Sequence, residues 1–314
     1  MANKVVALAG GVGAAKFLRG LVKVHDPEEL TVVSNVGDNA WIFGLYVAPD
    51  IDIVTYALAD VWDDQRGWGI KGEGYTVRDW LKTLKVRDAE WFNLGDKDFA
   101  TCAYRTMLIK QGYTLSHITD QLKNAMGVKT KIIPATDQEL TTMVYLEGMW
   151  LSFEEYYVRL KAEPEVEKIE YKGAEKCEPS PGVKEALAEA DKIIICPSNP
   201  VASIQPILAV KEIHNELRKR RSKVVVVSPL IQGKAVKGPA DKMMASLGME
   251  PSPLGLADYY SDIAQNLVID LLDAEFSTQL INKGFGVRVL DTKMVDAFAA
   301  GRLASQILSW NSVL

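Results

Sequence analysis

The stretch Lys4-Val5-Val6-Ala7-Leu8-Ala9-Gly10-Gly11-Val12-Gly13-Ala14-Ala15-Lys16-Phe17-Leu18 decides the fold. Residues 4–8 form an apolar run with β-branched side chains, and the run stops at Gly10-Gly11. Residues 14–24 then place Phe17, Leu18 and Leu21 at helical spacing. Residues 30–34 supply a second strand. Strand, glycine turn, helix and strand in succession make a βαβ unit, which commits both strands to a parallel sheet.

The same grammar returns late in the chain. Residues 182–190 read as a helix after Pro179 and Pro181. Residues 192–196 read as a strand closed by Pro197-Ser198-Asn199-Pro200. Residues 201–210 and 210–220 are mostly helical in pattern. Residues 223–228 are the most β-branched run of the protein, and residues 267–270 and 287–291 add two short strands. Apolar runs with polar residues only at their C-terminal ends suit central parallel strands. The middle differs. Residues 77–84, 99–111 and 116–126 are amphipathic helical patterns, the last capped by Ser116. Residues 130–134, 141–146, 150–153, 156–160 and 166–171 read as short alternating strands. The expected fold is α/β, a doubly wound, mostly parallel Rossmann-like sheet with an inserted helical plus antiparallel β subdomain. Residues 1–67 and 176–314 would form the core, and residues 68–175 the insertion.

Composition narrows the class. Hydrophobic residues are 48% and charged residues 25% of the 314, which excludes disorder as the main state. Lys+Arg number 36 against 41 Asp+Glu, and a net charge of −5 argues against a general nucleic-acid binder. Cys102, Cys177 and Cys196 contain no CxxC pair, so neither a zinc site nor a disulfide framework is indicated. Reduced thiols suit a cytoplasmic protein. No run approaches the 18 or so apolar residues of a membrane span, and the start is too short an apolar run for a signal peptide. His25, His117 and His214 have no partner spacing and no GxSxG occurs, so covalent nucleophilic catalysis has no support.

The glycine turn sits where a strand feeds a helix, and backbone N–H groups there favour a phosphate. It is not a Walker loop, because Lys16 is followed by Phe17. It departs from the dinucleotide fingerprint too. Lys16 stands where that pattern wants its third glycine, and the second strand ends in Ser34-Asn35 rather than in an acid. Past that strand, at the carboxyl edge of the sheet, come Asp38, Asp50, Asp52, Asp60, Asp63 and Asp64, then Asp96 and Asp98. Carboxylates beside a phosphate-type turn point to Mg²⁺, held by one or two of them plus substrate phosphates. Pro197-Ser198-Asn199-Pro200 closes another strand at the same edge and opens a helix. Gly238-Pro239-Ala240-Asp241-Lys242 offers an acid and a base in a rigid turn. Trp41, Trp62 and Trp68 read as core or loop anchors more than as stacking platforms.

At this point the motifs resemble one family. Ala9-Gly10-Gly11-Val12-Gly13 with Lys16 and Leu18-Arg19-Gly20-Leu21, Asn35-Val36-Gly37-Asp38, Gly44-Leu45-Tyr46-Val47 and Pro49-Asp50-Ile51-Asp52 are similar to 2-phospho-L-lactate transferases. So are Arg66-Gly67-Trp68-Gly69-Ile70, the segment from Trp91 to Asp98, the Pro197 loop and Gly238-Pro239-Ala240-Asp241-Lys242-Met243-Met244, all in matching order. The resemblance spans residues 4–295. It implies a Mg²⁺-dependent, dimeric enzyme of coenzyme F-420 biosynthesis. Such an enzyme moves a phospholactyl or phosphoenolpyruvyl group from a guanosine diphosphate-linked donor to the ribityl hydroxyl of the deazaflavin Fo and releases GMP.

On that reading the donor phosphates rest on Gly10, Gly11, Val12, Gly13, Ser198 and Asn199, with Asn35, Asp241 and Lys242 on the nucleotide side. Asp50 and Asp38 are the metal ligands and catalytic residues; whether Asp50 binds metal, accepts the hydroxyl proton or does both stays open. Asp50, Arg66, Trp68, Asp96 and Asp98 face the acceptor. The partners are those small molecules and a second copy of the chain, not nucleic acid or membrane. Val12 and Ala14 stand where the family often has threonines, Asn39 where a second aspartate is frequent, and Cys102 where a histidine is frequent. Two other readings remain: a nucleotide-sugar-binding regulatory protein of the same superfamily, and a NAD-dependent oxidoreductase, which Ser34-Asn35 disfavours.

Overall fold

The computed structural model describes residues 3–310. The chain runs β1 (Val5–Ala9), α1 (Gly11–Val24), β2 (Leu30–Ser34), the hairpin β3 (Ala40–Ile42) and β4 (Leu45–Val47), α2 (Pro49–Leu58), α3 (Thr76–Thr83), α4 (Asp96–Lys110) and α5 (Leu115–Ala125). It continues through β5 (Lys131–Pro134), β6 (Thr141–Leu146), β7 (Met149–Ser152), β8 (Lys168–Lys172), α6 (Val183–Glu189), β9 (Lys192–Ile195), α7 (Gln205–Ala209), α8 (Lys211–Lys219) and β10 (Val224–Val227). The hairpin β11 (Leu230–Ile231) and β12 (Lys234–Ala235), α9 (Ala240–Ser246), α10 (Pro253–Tyr260), β13 (Asn266–Asp270), α11 (Ser277–Asn282), β14 (Gly286–Leu290) and α12 (Ala297–Leu308) complete it. No described helix is long and apolar enough to cross a membrane.

Seven strands form one sheet in the order β14-β13-β10-β9-β1-β2-β5, and every neighbouring pair is parallel. The strands alternate between two buried faces. Val6 and Leu8 of β1 enter one core with α6, α8 and α10, while Val5, Ala7 and Ala9 enter the other with α1 and α12. Burial on both faces explains why these strands read as continuous apolar runs. β2 lies on one side of β1 and β9 on the other, so the chain reverses direction across the sheet between β1 and β9. Ligands of open α/β sheets bind at such a reversal, beyond the carboxyl ends of the strands.

Three local expectations change. Residues 130–134 were expected among the antiparallel strands, but Lys131–Pro134 joins the main sheet, parallel to β2 from Thr31↔Lys131 to Ser34↔Pro134. A four-residue Lys-Ile-Ile-Pro run carries no period that separates a parallel edge strand from a hairpin strand. The antiparallel element is the three-stranded sheet β7-β6-β8. Residues 156–160 are not a strand but one wide helical turn, Glu155–Arg159. That turn stacks Phe153 on Tyr157 with ring centroids 5.6 Å apart, a pairing four residues apart that only a helix allows. Thr114, not Ser116, caps α5 by accepting from the His117 N–H, while Ser116 donates to Asp137.

Helices α1 and α12 cross at their small residues. A Cβ on Gly20 would overlap the backbone of Ala300 and Gly301. Lys192 fixes the far end of α12: its Nζ donates to the carbonyls of Ile307, Leu308 and Trp310 at 2.6, 3.2 and 2.6 Å. Gly20→Ala would gain roughly 1 kcal/mol of helix propensity. It would lose more, because overpacking against backbone costs about 1–3 kcal/mol. The variant is expected to melt below the wild type in calorimetry; an equal or higher melting temperature would show that the two helices can separate without cost.

Candidate functional site

The loops after β1 and β9 meet where the sheet reverses. Gly11 opens α1 at φ +71° with Gly10 as its cap residue. A Cβ on Gly13 would overlap the Pro197 carbonyl, so the glycine lets the two loops touch. Ser198 Oγ closes the contact by donating to the Gly10 carbonyl at 2.7 Å. Asn199 accepts from the N–H groups of Val201 and Ala202 at 3.0 and 3.2 Å and so caps the next turn. The hydroxyl of Ser198 and the carbonyl oxygen of Asn199 are thus engaged in holding the loops.

Pro49-Asp50-Ile51-Asp52 is the first turn of α2, with Pro49 at the position a helix start prefers. The turn delivers Asp50 to the glycine loop. Gly11 N–H donates to Asp50 Oδ1 at 2.8 Å, and Asn35 Nδ2 donates to Asp50 Oδ2 at 2.8 Å. Asn35 is held in turn, accepting from Gly37 N–H at 2.8 Å and donating to the Ala202 carbonyl at 3.2 Å. A Cβ on Gly10 would overlap the Asp50 carboxylate. The glycine turn therefore serves a carboxylate, and the Gly11 amide is already given to it.

A cavity of about 720 Å³ opens in front of Asp50. Asp38 and Glu154 line it alongside Asp50, and all three are buried. Burial, against the Asn35 and Gly11 hydrogen bonds, pushes the Asp50 carboxyl up to about 6. Burial and the charge of Asp50 push Glu154 up to about 8. Burial, then Asp50 and Glu154, raise Asp38 well above the usual carboxylate range. Asp38 Oδ1 has no hydrogen-bond partner among the described residues. Hard carboxylate oxygens that repel one another, one of them orphaned, fit a divalent cation with oxygen ligands. Glu154 escapes sequence reading because it sits in the pair Glu154-Glu155 after Phe153, outside any motif.

The cavity wall beyond Asp50 is aromatic and apolar: Val47, Ile53, Trp68, Trp91, Phe92 and Leu94. Trp68, read mainly as an anchor, lies on this wall, whereas Trp62 is buried in the core and Trp41 is exposed. Arg66 is fixed by Asp63 Oδ2 at 2.7 Å from Nε, with its guanidinium 5.4 Å from the Trp68 ring centre. At the floor, Asp98 Oδ1 accepts from Tyr56 OH at 2.7 Å. Asp52, Asp98 and Cys102 converge closely enough for a metal. Arg105 already fills that role: it pairs with Asp52, reaches the Cys102 sulfur and donates to the Tyr46 carbonyl at 3.2 Å.

Three expected site residues stand elsewhere. Asp96 accepts from Thr76 and Val77 N–H groups at 3.2 and 2.9 Å, where it satisfies the start of α3. Asp241 pairs with Lys234 at 3.3 Å, and Lys242 donates to the Ala162 carbonyl at 2.9 Å. None of the three lines the cavity. Nor do Asp60 and Asp64, which pair with Arg19 at 3.2 and 2.7 Å. Asn35 lies behind the wall and acts through Asp50. Gly10, Gly11, Val12, Gly13, Asp38, Asp50, Arg66, Trp68, Asp98, Ser198 and Asn199 all line the cavity.

The chain matches known proteins along nearly its whole length. The profile of the family described as "2-phospho-L-lactate transferase CofD" matches residues 5–287. A "Phosphoenolpyruvate transferase" of Streptomyces coelicolor is 38% identical over 98% of this chain and 97% of its own. A "2-phospho-L-lactate transferase" of Methanopyrus kandleri is 37% identical over 97% of this chain and 96% of its own. Among solved structures, protein BH3568 from Bacillus halodurans superposes with a TM-score of 0.67 at 17% identity, over 98% of this chain and all of that one, which shows a shared fold.

Burial, then the charge of Asp52, push Asp98 up to about 7 from the ordinary 3.8. A raised carboxyl favours folding while protonated, so this contribution is full below about pH 4 and is lost as pH rises through about 7. Asp98→Asn keeps an acceptor for Tyr56 and removes the charge. It is expected to melt above the wild type at pH 8, with the gap narrowing toward pH 4. A gap independent of pH would contradict the buried-charge assignment.

Proposed function

The chain belongs to the 2-phospho-L-lactate transferase family, and on that premise we propose that it transfers a phospholactyl or phosphoenolpyruvyl group from a guanosine diphosphate-linked donor to the ribityl hydroxyl of the deazaflavin Fo, releasing GMP, in coenzyme F-420 biosynthesis. The observation that carries this reading is the set of three buried carboxylates facing one cavity where the sheet reverses. Asp50, Asp38 and Glu154 would hold Mg²⁺, whose charge, when bound, offsets that of the donor diphosphate. The donor phosphates lie in front of α1, at the free amides of Val12 and Gly13 rather than at Gly11. The flat deazaflavin fits the slot between Trp68, Trp91 and Phe92, with Asp98 at its floor.

The reaction needs positioning and charge balance more than a covalent intermediate. The Fo hydroxyl oxygen forms a bond to the phosphorus that carries the three-carbon acid. The bond from that phosphorus to the bridging oxygen breaks, and GMP leaves with the oxygen. The hydroxyl proton passes to a carboxylate of the Asp38, Asp50 and Glu154 set. Asn35 and Gly11 hold Asp50 in one orientation throughout.

Phosphorus NMR with donor, Fo and Mg²⁺ tests the reading, with lactyl and enolpyruvyl donors run side by side because relatives of both names match. GMP is expected only when Fo is present. Asp50→Ala would strip Gly11 and Asn35 of their acceptor, whereas Asp50→Asn removes the charge and keeps one oxygen to accept from one of them. It is expected to lower kcat by about 10²–10³-fold while the circular-dichroism spectrum stays that of the wild type. Wild type that binds donor without releasing GMP, or Asp50→Asn with near-normal turnover, would overturn the assignment.

A further inference from the structure

Lysines line the cavity as well as carboxylates. Lys16 stands on α1, one turn past Val12 and Gly13, and all three line the cavity. Neither Lys16 nor Lys237 is paired with a carboxylate among the described residues. Lys237 comes from the loop between β12 and α9 and lines the same cavity. Its Nζ donates to the Arg66 carbonyl at 3.1 Å. Gly67, at φ +83°, is the residue that lets it in, because a Cβ there would overlap the Lys237 ammonium. Burial, then the charge of Lys16, hold the Lys237 ammonium below its ordinary value. Two mutually repelling cations lining one cavity, with a neutral carbonyl as the only hydrogen-bond partner of either ammonium among the described residues, make a place for a multiply charged anion. A phosphate oxygen is the stronger acceptor, since both sides of that hydrogen bond are charged.

The glycine turn cannot provide this charge alone. Its Gly11 amide is held by Asp50, and Ser198 Oγ is held by Gly10. The loop bridged by Lys237 carries Arg66 and Trp68 and turns on Gly67, Gly69 and Gly72, all at positive φ. Lys237 ties it at Arg66, and Arg19 ties its start at Asp64.

We propose that Lys16 and Lys237 clamp the donor diphosphate, and that Lys237 leaves the Arg66 carbonyl to do so, so that phosphate binding unlatches the Arg66–Trp68 loop for the acceptor. This rests on the transfer reading for the identity of the donor, but the clamp itself needs only a diphosphate. Donor binding would thereby set the acceptor wall, giving the two substrates an order.

Calorimetric titration of the full chain with GDP and with inorganic diphosphate, in Mg²⁺, reads the clamp. Hydrogen exchange of residues 63–74 reads the latch. Lys237→Met and Lys16→Met are each expected to weaken both ligands by about tenfold or more. Lys234→Met, which removes a neighbouring charge outside the cavity, is expected to bind like the wild type. Diphosphate is expected to speed exchange in residues 63–74 of the wild type, and Lys237→Met to show the faster exchange without ligand. Lys237→Met binding diphosphate as well as the wild type, or exchange in that loop unmoved by ligand, would overturn the proposal. Lysine-dependent diphosphate binding without GMP release from either donor would leave the clamp standing and sink the transfer reading. GMP release that is indifferent to Lys237 would do the reverse.

Discussion

A single buried carboxylate organises this protein's ligand-facing edge. Asp50 is reached by a backbone amide from the β1–α1 turn and by a side-chain amide from the end of β2, each at 2.8 Å. Those two strands are neighbours in the sheet, and α2 brings the carboxylate back over them. The glycine turn has the shape it has because any side chain at Gly10 would displace Asp50, and any at Gly13 would part the β1 and β9 loops. Removing a carboxylate from water is costly unless its charge is matched. Here it is matched only by neutral donors, and two further carboxylates crowd it. The fold thus holds an electrostatic tension that a bound cation would relieve.

The parallel core was legible in the sequence because strands buried on both faces must be apolar throughout, and because a glycine turn between strand and helix has few alternatives. The residues 4–8, 30–34, 192–196 and 223–228 all became central strands within a residue or so. What failed was local ambiguity of two kinds. Lys131–Pro134 is too short for its period to say which sheet it joins. Tyr156, Tyr157 and Val158 have strand-forming side chains, yet the Phe153–Tyr157 stack requires a helical turn.

The site was legible where motifs carried it and illegible where tertiary structure assembled it. Asp38 and Asp50 stand in motifs and do face the cavity, whereas Asp96, from the same segment as Asp98, caps a helix instead. Two residues within one turn of α4 thus part company, a distinction that spacing cannot make. Glu154, in the helical turn after β7, and Lys237, in the loop before α9, lie more than a hundred residues from the glycine turn, and only the closed fold brings them to the same cavity. Within the balance of −5, one cavity gathers both buried acids and lysines that no carboxylate pairs among the described residues.

If Asp38, Asp50 and Glu154 together form one cation site, it is measurable without reference to turnover, by titrating Mn²⁺ into the full chain with inorganic diphosphate present and following electron paramagnetic resonance. One tightly bound ion per chain is expected, lost in Asp50→Asn and weakened in Glu154→Gln. Binding that is absent from the wild type, or that survives Asp50→Asn unchanged, would contradict it.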